Sequence, residues 1–165
     1  YVTASALEGV FAPSDIQVNA VNAPQIAEER GIDVTESKTS SAEDYQSLIT
    51  VTVSDGTDEV SVCGTQFGGE ESRIVRIDGH RIEAVPHGHM LVVRNKDEPG
   101  TIGFIGTALG EADINIAGMF NGRETIGGEA LSIYNLDEKP DSSLIDRLND
   151  DSRIIETTYV ALGDG

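Results

Sequence analysis

The stretch VVRNKDEPGTIGFIGTALGEADINIAGMF, residues 92–120, decides how this chain is read. It opens as a strand, turns on Asp97-Glu98-Pro99-Gly100, runs into a helix rich in glycine and returns as a strand. At about 100° per residue, Ile102, Phe104, Ile105, Ala108 and Leu109 span roughly 160° of the helix and form its expected core face. Gly103, Gly106 and Gly110 fall within roughly 60° of one another on the opposite side. Each helical glycine costs about 0.5–1 kcal/mol relative to alanine, so three on one face suggest close approach of another surface or a ligand.

Working outward, residues 89–95 read as a strand, 100–112 as a helix, 114–122 and 129–137 as strands joined by GRETIGG, 142–150 as a helix capped by Asp141 or Ser142, and 154–162 as a last strand. That order is βαββαβ, the ferredoxin-like arrangement. PHGH at 86–89 reads as a junction. Before it, IQVNAVNA (16–23) and IDVTES (32–37) alternate like strands around a helix opened by Pro24 and closed by Gly31. Four more strands follow between residues 47 and 85, with hairpin turns at Asp55-Gly56 and Asp78-Gly79. The expected fold class is α+β: a strand-rich domain over 1–88 and a ferredoxin-like domain over 89–165.

The chain has 165 residues and a formal net charge of −18. Its three lysines, Lys38, Lys96 and Lys139, are outnumbered by acidic groups along the whole length. Such a field repels nucleic acid and anionic membranes, so neither is expected as a partner. A salt-rich cytoplasm, which screens the self-repulsion, is the expected setting. The one cysteine, Cys63, excludes an internal disulfide framework and fits a reducing cytosol. No run approaches the length of a membrane-spanning helix. Tyr1 stands where an initiator Met is absent, which suggests a piece of a longer chain.

No nucleotide-binding glycine motif and no nucleophile–base set can be read, so no catalytic residue is expected. His80, His87 and His89 lie close in sequence, but too few further ligands accompany them for a metal site. Two binding candidates remain. Arg73, Arg76 and Arg81 crowd one hairpin beside His80. An anion site at Arg73, His80 and Arg81 competes evenly with a salt-bridge ladder to Glu70, Glu71 and Glu83; strand alternation puts Arg73 and Arg76 on opposite faces. The second candidate is the opening turn. Asp97 is placed to cap the helix or to accept an ammonium group. The amides after Pro99, those of Gly100, Thr101 and Ile102, suit a carboxylate, and Asn95 and Asn115 add amide groups. A plain capped turn explains the same residues.

NKDEPGTIGFIGTALGEADINIAGM resembles the signature of an ACT domain, an amino-acid-binding regulatory module. VNAVNAPQIAEERGI and VCGTQFGGEESRIVRIDG resemble the intervening, or allosteric substrate binding, domain of the D-3-phosphoglycerate dehydrogenase family. VTASALEGVF resembles the helix leaving that family's catalytic region, so 1–12 is expected to be the end of a linker helix. The resemblance implies the regulatory C-terminal part of an NAD-dependent enzyme of serine synthesis, with no cofactor and no catalysis in this piece itself. It implies L-serine held between the ACT domains of a homodimer, for feedback inhibition, by Asn95, Asp97 and Asn115 with the Pro99–Ile102 turn. Asn95 stands where relatives often carry His or Tyr, and Val85 stands where relatives with an anion site carry a further basic residue. Whether dimers build a tetramer stays open. So do two other readings: the regulatory portion of an iron–sulfur L-serine dehydratase, and an ACT assembly module without a ligand.

Overall fold

The computed structural model describes residues 1–14, 17–39, 45–69 and 71–163. The chain forms two compact units, Tyr1–Ala42 and Glu43–Gly165.

The first unit holds two helices, α1 (Val2–Phe11) and α2 (Ala23–Glu29). Phe11, Ala23 and Ala27 are its buried apolar side chains, and the Arg30 guanidinium lies over the Phe11 ring. Neither strand expected here forms among the described residues. In 17–23 the Asn19 carboxamide accepts from the Val21 and Asn22 N–H groups, and Asn22 accepts from the Asn19 N–H. These local bonds bend the chain into the start of α2 and leave nothing for a ladder; Ile16 lies outside the described residues. IDVTES has real alternation but no partner strand among the described residues, and Ile32 and Val34 stay exposed.

The second unit carries two antiparallel sheets. Sheet one is a meander, β1 (Ile49–Ser54), β2 (Glu59–Phe67), β3 (Glu71–Ile77) and β4 (His80–Ala84), in sequential order. Gly56, Asp78 and Gly79 take positive φ at its turns, as the sequence requires. Sheet two contains β5 (His89–Lys96), β6 (Ile116–Arg123), β7 (Glu129–Leu136) and β8 (Ile154–Ala161) in the order β6-β7-β5-β8, with α3 (Thr101–Glu111) after β5 and α4 (Ser142–Asn149) after β7. This is the expected ferredoxin-like arrangement.

Pleating divides the sheet-two residues between two cores. Leu91, Val93, Tyr134 and Leu136 face α3 and α4 and pack with Ile105, Leu109, Leu144 and Leu148. Met90, Leu131 and Ile133 face the other way, onto Ile82 and Ala84 of β4. Sheet one therefore covers the face that the helices leave bare. At Gly122 the β6 backbone lies against β4, and an added Cβ would run into the Arg81 carbonyl oxygen. In α3, Ile105, Ala108 and Leu109 are buried, but Ile102 is 45% exposed and not part of the core face. The α4 cap is Asp141, whose carboxylate accepts from the Leu144 N–H at 2.8 Å.

Candidate functional site

The turn between β5 and α3 is built from inside. Asn95 is buried and donates to the Lys96 carbonyl, while Thr101, also buried, donates to the Glu98 carbonyl at 3.0 Å. These bonds close a tight loop around Pro99, and Gly100 enters the helix at φ +90°, where a side chain would be strained. The Ser132 hydroxyl lies between the carboxamides of Asn95 and Asn121, at 3.1 and 2.8 Å. Both facing atoms are carboxamide oxygens, so its one proton is donated to one of them at a time. Asn95 thus props the turn from below, whereas Pro99, Gly100 and Ile102 are exposed.

Asp97 does not cap α3, which has no side-chain cap among the described residues. Its carboxylate turns toward the β6–β7 loop. Oδ2 accepts from Arg123 Nη1 at 2.7 Å and from the Gly127 N–H at 3.0 Å, and the Asp97 N–H donates to the Gly128 carbonyl. The Gly127 amide, then the Arg123 guanidinium, hold this carboxyl below the usual aspartate range. The Thr101 amide is taken, donating to the Glu98 carbonyl at 3.3 Å, but with no side-chain cap the amides beyond it in the first turn of α3 keep their partial positive charge. On the other flank, Arg153 grips Asp151 through Nε and Nη2, at 2.7 and 2.8 Å, and lies over the Phe104 ring. Its Nη1 comes within 3.5 Å of where a Gly100 Cβ would sit.

Asn115 is elsewhere. β5 and β6 both run antiparallel to β7, so they are parallel to each other, and Ile116 and His89 both pair with Leu136. Asn115 therefore sits level with the start of β5, at the end of the sheet opposite Asp97. It is exposed and donates to Asp137 at 2.7 Å.

The arginine hairpin differs from the alternation expectation. A bulge at Val75 shifts the register so that Arg73 pairs with Thr65 and Arg76 with Cys63, and Arg76 pairs with Arg81. All three arginines consequently share one face, because cross-strand partners point the same way. His80 pairs with Ile77 and lies on the opposite, apolar face. Arg73 is bound to Glu71 at 2.8 Å. Glu70 lies outside the described residues. Arg81 is exposed and, with Glu83, Tyr45 and Asn121, lines an open cleft of about 510 Å³ beside β6. No cluster of metal-ligating side chains occurs among the described residues, and no described helix is long and apolar enough to cross a membrane.

Sequence reasoning missed Arg123, Gly127, Ser132 and Arg153 as neighbours of the turn. The usable signal was scarcity: an arginine in so acidic a chain invites the question of which carboxylate it faces.

Comparison with known proteins fits this geometry. Residues 1–78 match the family described as the D-3-phosphoglycerate dehydrogenase intervening domain, and residues 89–153 match the ACT domain family. The chain is 39% identical over 165 residues to D-3-phosphoglycerate dehydrogenase of Archaeoglobus fulgidus, covering 98% of this chain and 31% of that protein. It is 34% identical over 163 residues to the Bacillus subtilis enzyme of the same name, with the same coverage. The Methanocaldococcus jannaschii counterpart is 33% identical over 157 residues, 94% of this chain and 30% of that protein. The chain thus spans about a third of the length of these relatives. It belongs to the D-3-phosphoglycerate dehydrogenase family as its regulatory region, an intervening domain followed by an ACT domain.

Proposed function

We propose that this chain is the effector-sensing and assembly portion of an NAD-dependent, cytoplasmic D-3-phosphoglycerate dehydrogenase, binding L-serine between the ACT domains of two copies as a feedback signal. In this reading the domains divide at the 88/89 junction, and the first acts as the intervening domain. The NAD site and the catalytic residues belong to other parts of the parent enzyme.

One observation carries the proposal: Asp97 and Asn115 are at opposite ends of one sheet, and β6, which leads from Asn115 toward the Asp97 turn, is an edge strand. An edge strand presents unpaired backbone groups suited to a second strand. Pairing β6 antiparallel with β6 of another copy sets Ile116 against the other copy's Arg123. Asn115 of one copy then arrives beside Asp97 of the other, because Arg123 already touches Asp97 at 2.7 Å. The assembled site offers a carboxylate for an ammonium group, first-turn amides for a carboxylate, and a carboxamide for a hydroxyl. A zwitterionic amino acid of serine's size needs those three. The glycine flank of α3 supports the same seam, since added Cβ atoms at Gly103, Gly106 and Gly110 would meet nothing within 4 Å in one chain.

Such a ligand regulates only through a difference in affinity between two states of the enzyme. The test is calorimetric titration of L-serine into the dimeric chain in molar KCl, with glycine and D-serine alongside. Saturable L-serine binding that Asp97→Ala abolishes supports the reading. A folded dimer that takes up no amino acid contradicts it and leaves an assembly module.

A further inference from the structure

We propose that Arg123 is an internal competitor for the ammonium position at Asp97, so that an amino-acid effector binds by unlatching the 123–128 loop. The inference rests on the amino-acid reading above and adds how that site is regulated.

The geometry is specific. Two bonds, one from Arg123 Nη1 at the end of β6 at 2.7 Å and one from the Gly127 N–H of the loop at 3.0 Å, converge on one carboxylate oxygen, Oδ2. A guanidinium and a primary ammonium seek the same thing from that oxygen, a charge-assisted hydrogen bond. The guanidinium is charged at every accessible pH, so it does not vacate Asp97 by losing its own proton, and another cation can compete for the same oxygen. Arg123 is also the exposed partner, with 48% of its side chain accessible against 20% for Asp97. The Asp97 backbone is tied to the end of the same loop, its N–H donating to the Gly128 carbonyl, so it is the exposed Arg123 side chain that gives way.

Displacement would be felt beyond the turn. Glu124, next in sequence, places Oε1 3.3 Å from where a Cβ on Gly79 would sit, at the β3–β4 hairpin. Gly122, on the other side, lies against the Arg81 backbone. Arg123 therefore stands between the Asp97 turn and the intervening-domain hairpin, in one chain of contacts. The two arrangements of the loop, latched and unlatched, form the bistable element that such coupling needs.

The experiment compares wild type, Arg123→Ala, Arg123→Lys and Asp97→Asn as the full chain. Amide exchange is measured without ligand, and L-serine is titrated by calorimetry. The latch predicts faster exchange across 124–128 in Arg123→Ala and wild-type exchange in Arg123→Lys. Competition predicts L-serine affinity roughly threefold tighter in Arg123→Ala, the scale of an exposed ion pair, near wild type in Arg123→Lys and lost in Asp97→Asn. Affinity unchanged or weaker in Arg123→Ala, with binding that still requires Asp97, overturns the competition and leaves the serine reading standing. No binding by wild type or Arg123→Ala, even with faster loop exchange, overturns both.

Discussion

Asp97 and Asn115 occupy opposite ends of the same four-stranded sheet, separated by the length of β6. Eight strand residues span roughly 25 Å, far more than one amino acid can bridge. A site using both, as proposed, has to be shared between two copies, so L-serine binding is expected to require the dimer.

Gly122 of β6 lies directly against the Arg81 carbonyl of β4. A methyl group at residue 122 would collide with backbone that lies inside a strand pair and cannot step aside. Gly122→Ala is expected to lower unfolding stability by about 2 kcal/mol, an overpacking cost. Chemical denaturation checks this. Wild-type stability in the variant would mean that β4 does not press on β6.

Gly103 and Gly106 behave in the reverse sense. Each sits in the middle of α3 with open space around its would-be Cβ. Alanine at either position is expected to stabilise the isolated fold by about 0.5–1 kcal/mol. It should also weaken self-association if this flank is the seam between copies. Thermal unfolding at low concentration and sedimentation equilibrium separate the two effects. A stabilised variant that dimerises as tightly as wild type removes α3 from the interface.

Asp151 carries a pH signature. The Arg153 side chain, then its backbone N–H, pull this carboxyl down to about 2. The unfolded chain binds that proton nearer the ordinary aspartate value of about 3.9. Between those values the unfolded state holds more protons, so stability falls as pH falls from about 4 toward 2, and the contribution is complete above about 4. Asp151→Asn should flatten the acid limb of a stability–pH curve in that window and leave its shape above pH 5 unchanged. An acid limb identical to wild type would show that other carboxylates set it.

Much of the fold was legible because its pattern and its partners agreed. In the ACT domain, the apolar-rich runs of β5 and β7, the Pro99-Gly100 turn and the Asp141 cap all point to one arrangement. The intervening meander was equally open, since Asp55-Gly56 and Asp78-Gly79 dictate their turns. The failures have physical causes. Residues 17–23 alternate, but Asn19 and Asn22 spend their side chains on local backbone bonds. The Val75 bulge is invisible to a strict two-residue period, and it moves Arg73 and Arg76 onto one face. At the candidate site, the residue types around Asp97 could be read from the turn. Its engagement by Arg123 and Gly127 depends on a loop 26 to 30 residues away, and its distance from Asn115 depends on strand order.

The most direct test of the shared site is complementation between two inactive variants. Asp97→Ala and Asn115→Ala are each expected to lose L-serine binding as homodimers. A mixed dimer with one copy of each restores one complete site, because the intact Asp97 of one chain meets the intact Asn115 of the other. Its second site lacks both. Calorimetry on the purified mixed dimer should therefore show one L-serine per dimer, at near wild-type affinity, where wild type shows two. A mixed dimer that binds no L-serine, formed from chains whose wild type binds it, would contradict a site built across the β6 edge.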